Sequence, residues 1–261
     1  MFSKKMAGSF PAAIARCSKS VMTPLISPLP SDSAGSAPGL PTPPERSLTA
    51  KRPRLVLSAE TTPDPIFAFP PNRDTLGGTA YLIAATVKIL VDCPAWDETT
   101  QAFLQAQGGV DWLVLTHRGG IGKVREIQQV FNCQVAIQEQ EAYLLPGLTV
   151  IPFQRELQLS PATIALWTPG HSPGSACVYH QPGRVLFSGR HLLPDPQGQL
   201  KPLKTAKTFH WPRQLQSLQG LVERFNSESL QYVCPGANTG FLRGQYAIAQ
   251  PYEQLANFRA Q

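Results

Sequence analysis

An α/β fold is predicted, and three observations carry it. The stretch Asp111 to Val124, DWLVLTHRGGIGKV, reads as a buried strand, a Gly turn and the start of a helix. From about residue 54 onward, strand-like and helix-like periods alternate. Strands in both halves of the chain end in loops that carry Gly, His or Arg. A polar residue at the carboxyl end of a buried strand, followed by a turn and a helix, is where α/β proteins often hold their chemistry.

The first 54 residues are set apart by composition. They are rich in Ser, Pro, Ala and Gly, have no sustained period, and are expected to be a disordered tail. Of the 23 basic and 17 acidic residues, eight and two fall in this tail, so all of the net charge of +6 lies there. The remaining 15 of each sign cancel, and the globular part gives no electrostatic reason to expect nucleic acid. The acid-free start weakly resembles a transit peptide; the preferred reading is a bacterial tail or an over-extended start, with Met22 as a later one. No apolar run approaches the roughly 18 residues of a membrane span, so no membrane is expected. Cys17, Cys93, Cys133, Cys177 and Cys234 form no CxxC pair and read as small core hydrophobes in a reducing compartment.

Residues 55–261 form the expected single domain. Leu55 to Leu57 and Ile66 to Phe69 are short strands, and Thr79 to Ala84 pairs with Val87 to Val91 as a hairpin. A helix runs from near Trp96 to Gln107 and stops at Gly108-Gly109. Trp112 to Leu115 is the buried strand, and Ile121, Val124, Ile127, Gln128 and Phe131 share a helix face after it. Cys133 to Gln138 is a strand and Glu139 to Leu145 a short helix. Leu148 to Phe153, Glu156 to Leu159 and Thr163 to Trp167 read as strands of one meander, followed by Ala176 to Tyr179 and Val185 to Phe187. Residues 194–208 are a polar, Lys-bearing loop. Trp211 to Phe225 is a helix, Leu230 to Val233 the last strand, and Tyr246 to Phe258 a closing helix.

Four strand ends stand out: Thr116-His117, Gly170-His171, Gly189-Arg190-His191 and Gly236-Ala237. Their surroundings are VLTHRGGIGKV at 114–124, TPGHSPGS at 168–175, VLFSGR at 185–190 and PGANTG at 235–240. On these motifs, residues 66 to 245 resemble the metallo-β-lactamase-fold superfamily of glyoxalase II, flavin diiron proteins and ribonuclease Z. Within it the chain looks most like cyanobacterial and plastid members. The resemblance implies an αβ/βα sandwich: two mixed sheets face to face, helices outside, and a shallow pocket where the four loops meet.

The family's site is a pair of metals held by an H-x-H-x-D-H turn, the histidine of TPGH, a bridging aspartate after V-L-F-T-G, and a late P-G-H histidine. Carried over, this chain keeps His117 and His171. Gly119 and Gly120 stand where an acid and a histidine belong, Arg190 replaces the bridging aspartate, and Ala237 replaces the late histidine. A catalytic zinc normally has three protein ligands. His191 is the candidate third, although strand alternation turns it away from Arg190. Arg190 with Arg118 is the candidate anion pocket, to which Lys123 is an addition. His180 is expected to be exposed on a meander strand, and His210 to cap or pack a helix. Asp92 is expected either to support the site from behind or to satisfy turn amides.

The expected function is that of a metallo-β-lactamase-fold protein whose dinuclear site is largely lost: a non-catalytic or anion-binding module with no cofactor. Its partner is then a small anionic ligand or another protein. The alternative is a metal-dependent hydrolase using zinc or iron on a reduced site built from His117 and His171. A further reading has His171, poised by Arg190, doing acid–base work without metal. The expected compartment is the cytoplasm, with the plastid stroma as the alternative.

Overall fold

The computed structural model describes residues 52–58 and 60–259. The expected tail lies outside the described residues except for its last three, and strand β1 already begins at Arg54.

The first sheet holds seven strands in chain order: β1 (Arg54–Leu57), β2 (Ile66–Ala68), β3 (Tyr81–Ala84), β4 (Lys88–Val91), β5 (Trp112–Leu115), β6 (Gln134–Gln138) and β7 (Ile151–Phe153). The pairings up to β4 are antiparallel and those from β4 to β7 are parallel. Parallel neighbours need crossovers. Helix α1 (Glu98–Ala106) supplies the one before β5, and α2 (Val124–Phe131) the one before β6. Asp97 starts α1 by accepting the Thr100 amide at 2.8 Å.

The second sheet contains β8 (Glu156–Ser160), β9 (Thr163–Trp167), β10 (Ala176–His180), β11 (Val185–Gly189), β14 (Tyr232–Pro235) and β15 (Ile248–Ala249). Their spatial order is β15-β14-β11-β10-β9-β8, antiparallel except for β11 with β14. A short ribbon, β12 (Leu193–Pro194) with β13 (Leu200–Lys201), lies within the polar loop. Helices α3 (Trp211–Arg224) and α4 (Tyr252–Arg259) complete the chain.

Strand alternation sorts the core into three slabs, as four layers require. Ile89, Val91 and Val114 meet Val178, Val185 and Phe187 between the sheets. Leu90, Leu113 and Leu115 point the other way, onto Leu104 of α1 and Val124 and Ile127 of α2. Leu186 and Val233 meet Leu218, Leu221 and Val222 of α3 and Leu255 of α4. The αβ/βα sandwich is therefore the observed architecture. Among the described residues, no helix is long and apolar enough to cross a membrane.

Some expected elements need correcting. The 148–153 strand is not part of the meander: β7 pairs parallel with β6 in the first sheet, and the meander begins only at β8. Leu230 to Val233 is not the last strand, because β15 pairs antiparallel with β14. Helix α2 begins at Val124 rather than Ile121, since Arg118–Gly120 forms a 3-10 turn and Ile121 is extended. The closing helix begins at Tyr252, after β15 has used the residues before it. His180 is buried, not exposed: its Nδ1 bonds the Thr163 hydroxyl at 2.9 Å and its Nε2 meets Asp64 at 3.1 Å.

Candidate functional site

The carboxyl ends of β4, β5 and β11 meet the 168–175 loop at one edge of the sandwich. Thr116 ties them together. Its amide donates to Asp92 Oδ1 at 2.8 Å and its hydroxyl to Asp92 Oδ2 at 2.7 Å, while its carbonyl accepts the Ala176 amide of the second sheet at 2.7 Å. Asp92 sits at the end of β4 with φ +60° and is buried. Burial pushes its carboxyl up to about 6, against the opposing pull of the Thr116 bonds and of Arg190, so it is ionised at pH 7. Asp92 thus satisfies the amide and hydroxyl of Thr116, just past β5, and reaches His117 through that hydroxyl.

That arrangement fixes the His117 tautomer. The Thr116 hydroxyl has one proton, and the carboxylate can only accept, so the hydroxyl receives the Nδ1–H of His117 across 3.0 Å. The lone pair is then on Nε2, which is buried without a partner among the described residues. Burial, with help from His171, Arg190 and Arg118, pushes the His117 pKa well below the usual imidazole range. The His171 ring stands 5.5 Å from that of His117, centroid to centroid, nearly edge on. Burial and then Arg190, Arg118 and Lys207 bring His171 down to about 4. Both imidazoles are therefore neutral at pH 7.

Gly119 and Gly120 are close to both supports. A Cβ on Gly119 would come within 2.9 Å of His117 Nε2, and one on Gly120 within 2.2 Å of Asp92 Oδ1. The room that side chains at these positions need is already taken by His117 and Asp92. Gly236-Ala237, at the end of β14, adds no polar side chain, and Ala237 is buried.

His117, Arg118, His171 and Arg190 line one cavity of about 440 Å³. Arg190 is half-buried and its Nη2 donates to the carbonyls of Thr75 at 3.0 Å and Leu76 at 2.8 Å. Arg118 pairs through Nε with Glu141 Oε1 at 2.9 Å; Glu141 is fully buried and Arg118 half-exposed. Lys207 also lines the cavity, and among the described residues no Asp or Glu does. Leu76 and Phe209 form an apolar lip.

Other expected site residues fall elsewhere. Lys123 does not line the cavity; it is exposed and pairs with Glu126 at 3.5 Å, whereas Lys207 does line it. His191 is buried and does not line the cavity; among the described residues both its ring nitrogens lack partners, and its carbonyl accepts from Gln214 Nε2 at 2.8 Å. Among the described residues, no group of three or more His, Cys, Asp or Glu is arranged to hold a metal ion. His210 caps α3, its Nδ1 accepting the Arg213 amide at 3.1 Å. Sequence reading missed Glu141, Leu76 and Phe209. Lys207 lay within the Lys-bearing loop it did single out, but nothing in the sequence links Glu141 to Arg118, because the 139–144 turn reaches it only in three dimensions.

The family model described as the metallo-beta-lactamase superfamily matches residues 121–225, which include TPGHSPGS and VLFSGR but not His117. Solved structures match over more of the chain. An archaeal metallo-beta-lactamase superfamily protein from Sulfolobus tokodaii is 16% identical, covering 75% of this chain and 85% of its own, with a TM-score of 0.53. TTHA1623, in a di-iron-bound form, is 22% identical over 68% of this chain and 92% of its own, with a TM-score of 0.53. VMB-1 is 13% identical over 80% of this chain and 96% of its own, with a TM-score of 0.60. The fold is that of the metallo-β-lactamase superfamily. No curated protein matches in sequence. Proteins of the metallo-β-lactamase superfamily typically bind zinc or iron. In this metallo-β-lactamase fold, the pocket is lined by two neutral imidazoles and by three cationic side chains, Arg118 and Arg190 from beyond strand ends and Lys207 from a loop.

Proposed function

We propose that this chain is a metallo-β-lactamase-fold protein that binds a small anion at the edge of the sandwich and does so without a paired metal centre. The observation that carries the reading is the lining of the cavity. Arg118, Arg190 and Lys207 line it beside two imidazoles that are neutral at pH 7, and among the described residues the one carboxylate paired with these cations, Glu141 on Arg118, lies behind the lining. Cationic side chains of one sign around a concave surface, with half-buried Arg190 held in place by the Thr75 and Leu76 carbonyls, favour an anion.

The residues present do not fit a dinuclear centre. An acid and a histidine of its first motif, its bridging aspartate and its late histidine are replaced by Gly119, Gly120, Arg190 and Ala237, and side chains at the two glycines would strike His117 and Asp92. A fixed guanidinium near a dication costs on the order of several kcal/mol even at an effective dielectric near 20. Arg190 instead supplies the positive charge itself, and a guanidinium suits carboxylate or phosphate. Four buried free thiols, Cys93, Cys133, Cys177 and Cys234, support a reducing compartment such as the cytoplasm. The alternative, a hydrolase with a reduced metal site, is favoured by one observation: His117 and His171 lie ring against ring, 5.5 Å apart.

Titration with inorganic phosphate, followed by calorimetry at low salt, tests the reading. Saturable binding is expected, weakened about tenfold or more in Arg190→Ala, which is the share of a charge-assisted hydrogen bond. Binding that ignores Arg190→Ala, or no binding at tens of millimolar phosphate, contradicts it.

A further inference from the structure

The cavity has a second chemical character besides charge. Leu76 and Phe209, on its lip, are exposed to 58% and 57%, among the largest apolar exposures of the described residues. Leu76 comes from the loop between β2 and β3, and Phe209 from the segment before α3. Leu76 holds φ +56°, a left-handed conformation that leucine adopts at a cost. Its carbonyl accepts from Arg190, so the cation that faces the cavity also fixes the apolar lip above it. Phe209 is tied in the same manner: its amide donates to the His171 carbonyl at 3.0 Å. The backbones of both apolar residues are thus tied to residues that line the cavity.

From this we infer that the ligand is an amphiphilic anion: a carboxylate or phosphate headgroup carrying an aryl or branched hydrocarbon group. The inference rests on the anion-binding reading above and extends it to the ligand's other half. The headgroup lies against Arg190, Arg118 and Lys207, and the apolar group lies between Leu76 and Phe209, removing from water surface that the chain leaves uncovered. A cavity of about 440 Å³ is of small-molecule size. Charge complementarity selects the headgroup, and the lip distinguishes ligands that share it.

Calorimetry of the full-length protein with paired probes tests this. Phenyl phosphate is compared with inorganic phosphate, and 3-phenylpropanoate with acetate, so that phosphate and carboxylate sources are read separately. 3-Phenylpropanol supplies the apolar group without charge. Each phenyl anion is expected to bind about tenfold or more tightly than its bare headgroup, since burying a ring of this size contributes more than the factor of ten requires. The neutral alcohol is expected to bind more weakly than either. The double variant Leu76→Ser/Phe209→Ser, altered only at exposed side chains, is expected to bring the phenyl anions to the affinity of their headgroups. Phosphate and acetate binding as well as their phenyl partners would overturn this inference and leave the anion-binding reading standing. Binding of the alcohol alone, or of none of the probes, would overturn both.

Discussion

Gly170→Ala is expected to lower the stability of the protein by about 3 kcal/mol or more, because overpacking and a strained backbone act at the same residue. Gly170 has φ +142°, a region that L side chains rarely enter. A Cβ there would come within 2.3 Å of the backbone nitrogen and Cα of Gln214, in α3. Backbone atoms inside a helix cannot rotate aside, so either α3 or the 168–175 loop must move. The loop is held at both ends of this contact: the His210 amide donates to the Gly170 carbonyl at 2.9 Å, and the Ser217 hydroxyl to the Pro169 carbonyl at 2.7 Å. Against a typical total of about 5–15 kcal/mol, a loss of this size is a large fraction. Urea midpoints measure it, with Gly220→Ala as the comparison. Gly220 is exposed in the same helix with nothing near its missing Cβ. There the change is expected to stabilise by roughly 0.5–1 kcal/mol. Equal midpoints for the two variants would show that the loop does not rest on α3 as described.

Steep acid lability between pH 6.5 and 4 is the second large effect. His117, His171 and His191 are all buried, and burial is the first cause holding each below the usual imidazole range: His171 at about 4, His191 at about 3, and His117 well below its ordinary value. His180 is lowered too, for the same reason, although Asp64 opposes it. In the unfolded chain these side chains take up protons as the pH falls through about 6.5, while the folded protein does not. The unfolded state then binds more protons, so stability falls with falling pH across this window. Above about pH 7.5 the histidines contribute almost no slope. Asp92 works in the opposite sense: its carboxyl is raised to about 6, so the folded state binds more protons between pH 3.8 and 6. One raised carboxyl does not offset three strongly lowered imidazoles. His171 alone corresponds to a loss on the order of 3 kcal/mol between pH 7 and 4. Urea midpoints at pH 7, 5.5 and 4.5 measure the slope. His191→Leu, which removes two unpartnered buried nitrogens at similar volume, is expected to make it shallower. A midpoint that is flat from pH 7 to 4.5 would mean that the imidazoles are not buried neutral.

Much of this molecule was legible in the sequence, and the boundary is physical. Trp112 to Leu115 was read with its true ends, because a four-residue apolar run between Asp111 and the Thr116-His117 pair has one strand register. Trp211 to Arg224 is legible to within a residue, because its apolar spacing and the capping position of His210 agree. The placement of 148–153 was lost because a strand's period says nothing about which sheet it joins, and β7 leaves the meander for a parallel partner. His180 was misjudged because its burial comes from Asp64, 116 positions earlier in the chain. The candidate site was partly legible. His117, His171, Arg118 and Arg190 were named from their strand ends, and they do line one cavity. Lys207 and the lip come from loops whose ends, not their residue patterns, decide where they fold.

The metal content of the full-length protein, purified without chelator and then dialysed against excess zinc or iron, tests the central claim most directly. The account predicts less than about a tenth of an equivalent of retained metal, since two imidazoles facing three cations fall short of the three protein ligands of a catalytic zinc. Near-stoichiometric zinc or iron, lost in both His117→Ala and His171→Ala, would contradict it and make the protein a metal-dependent hydrolase with a rearranged site.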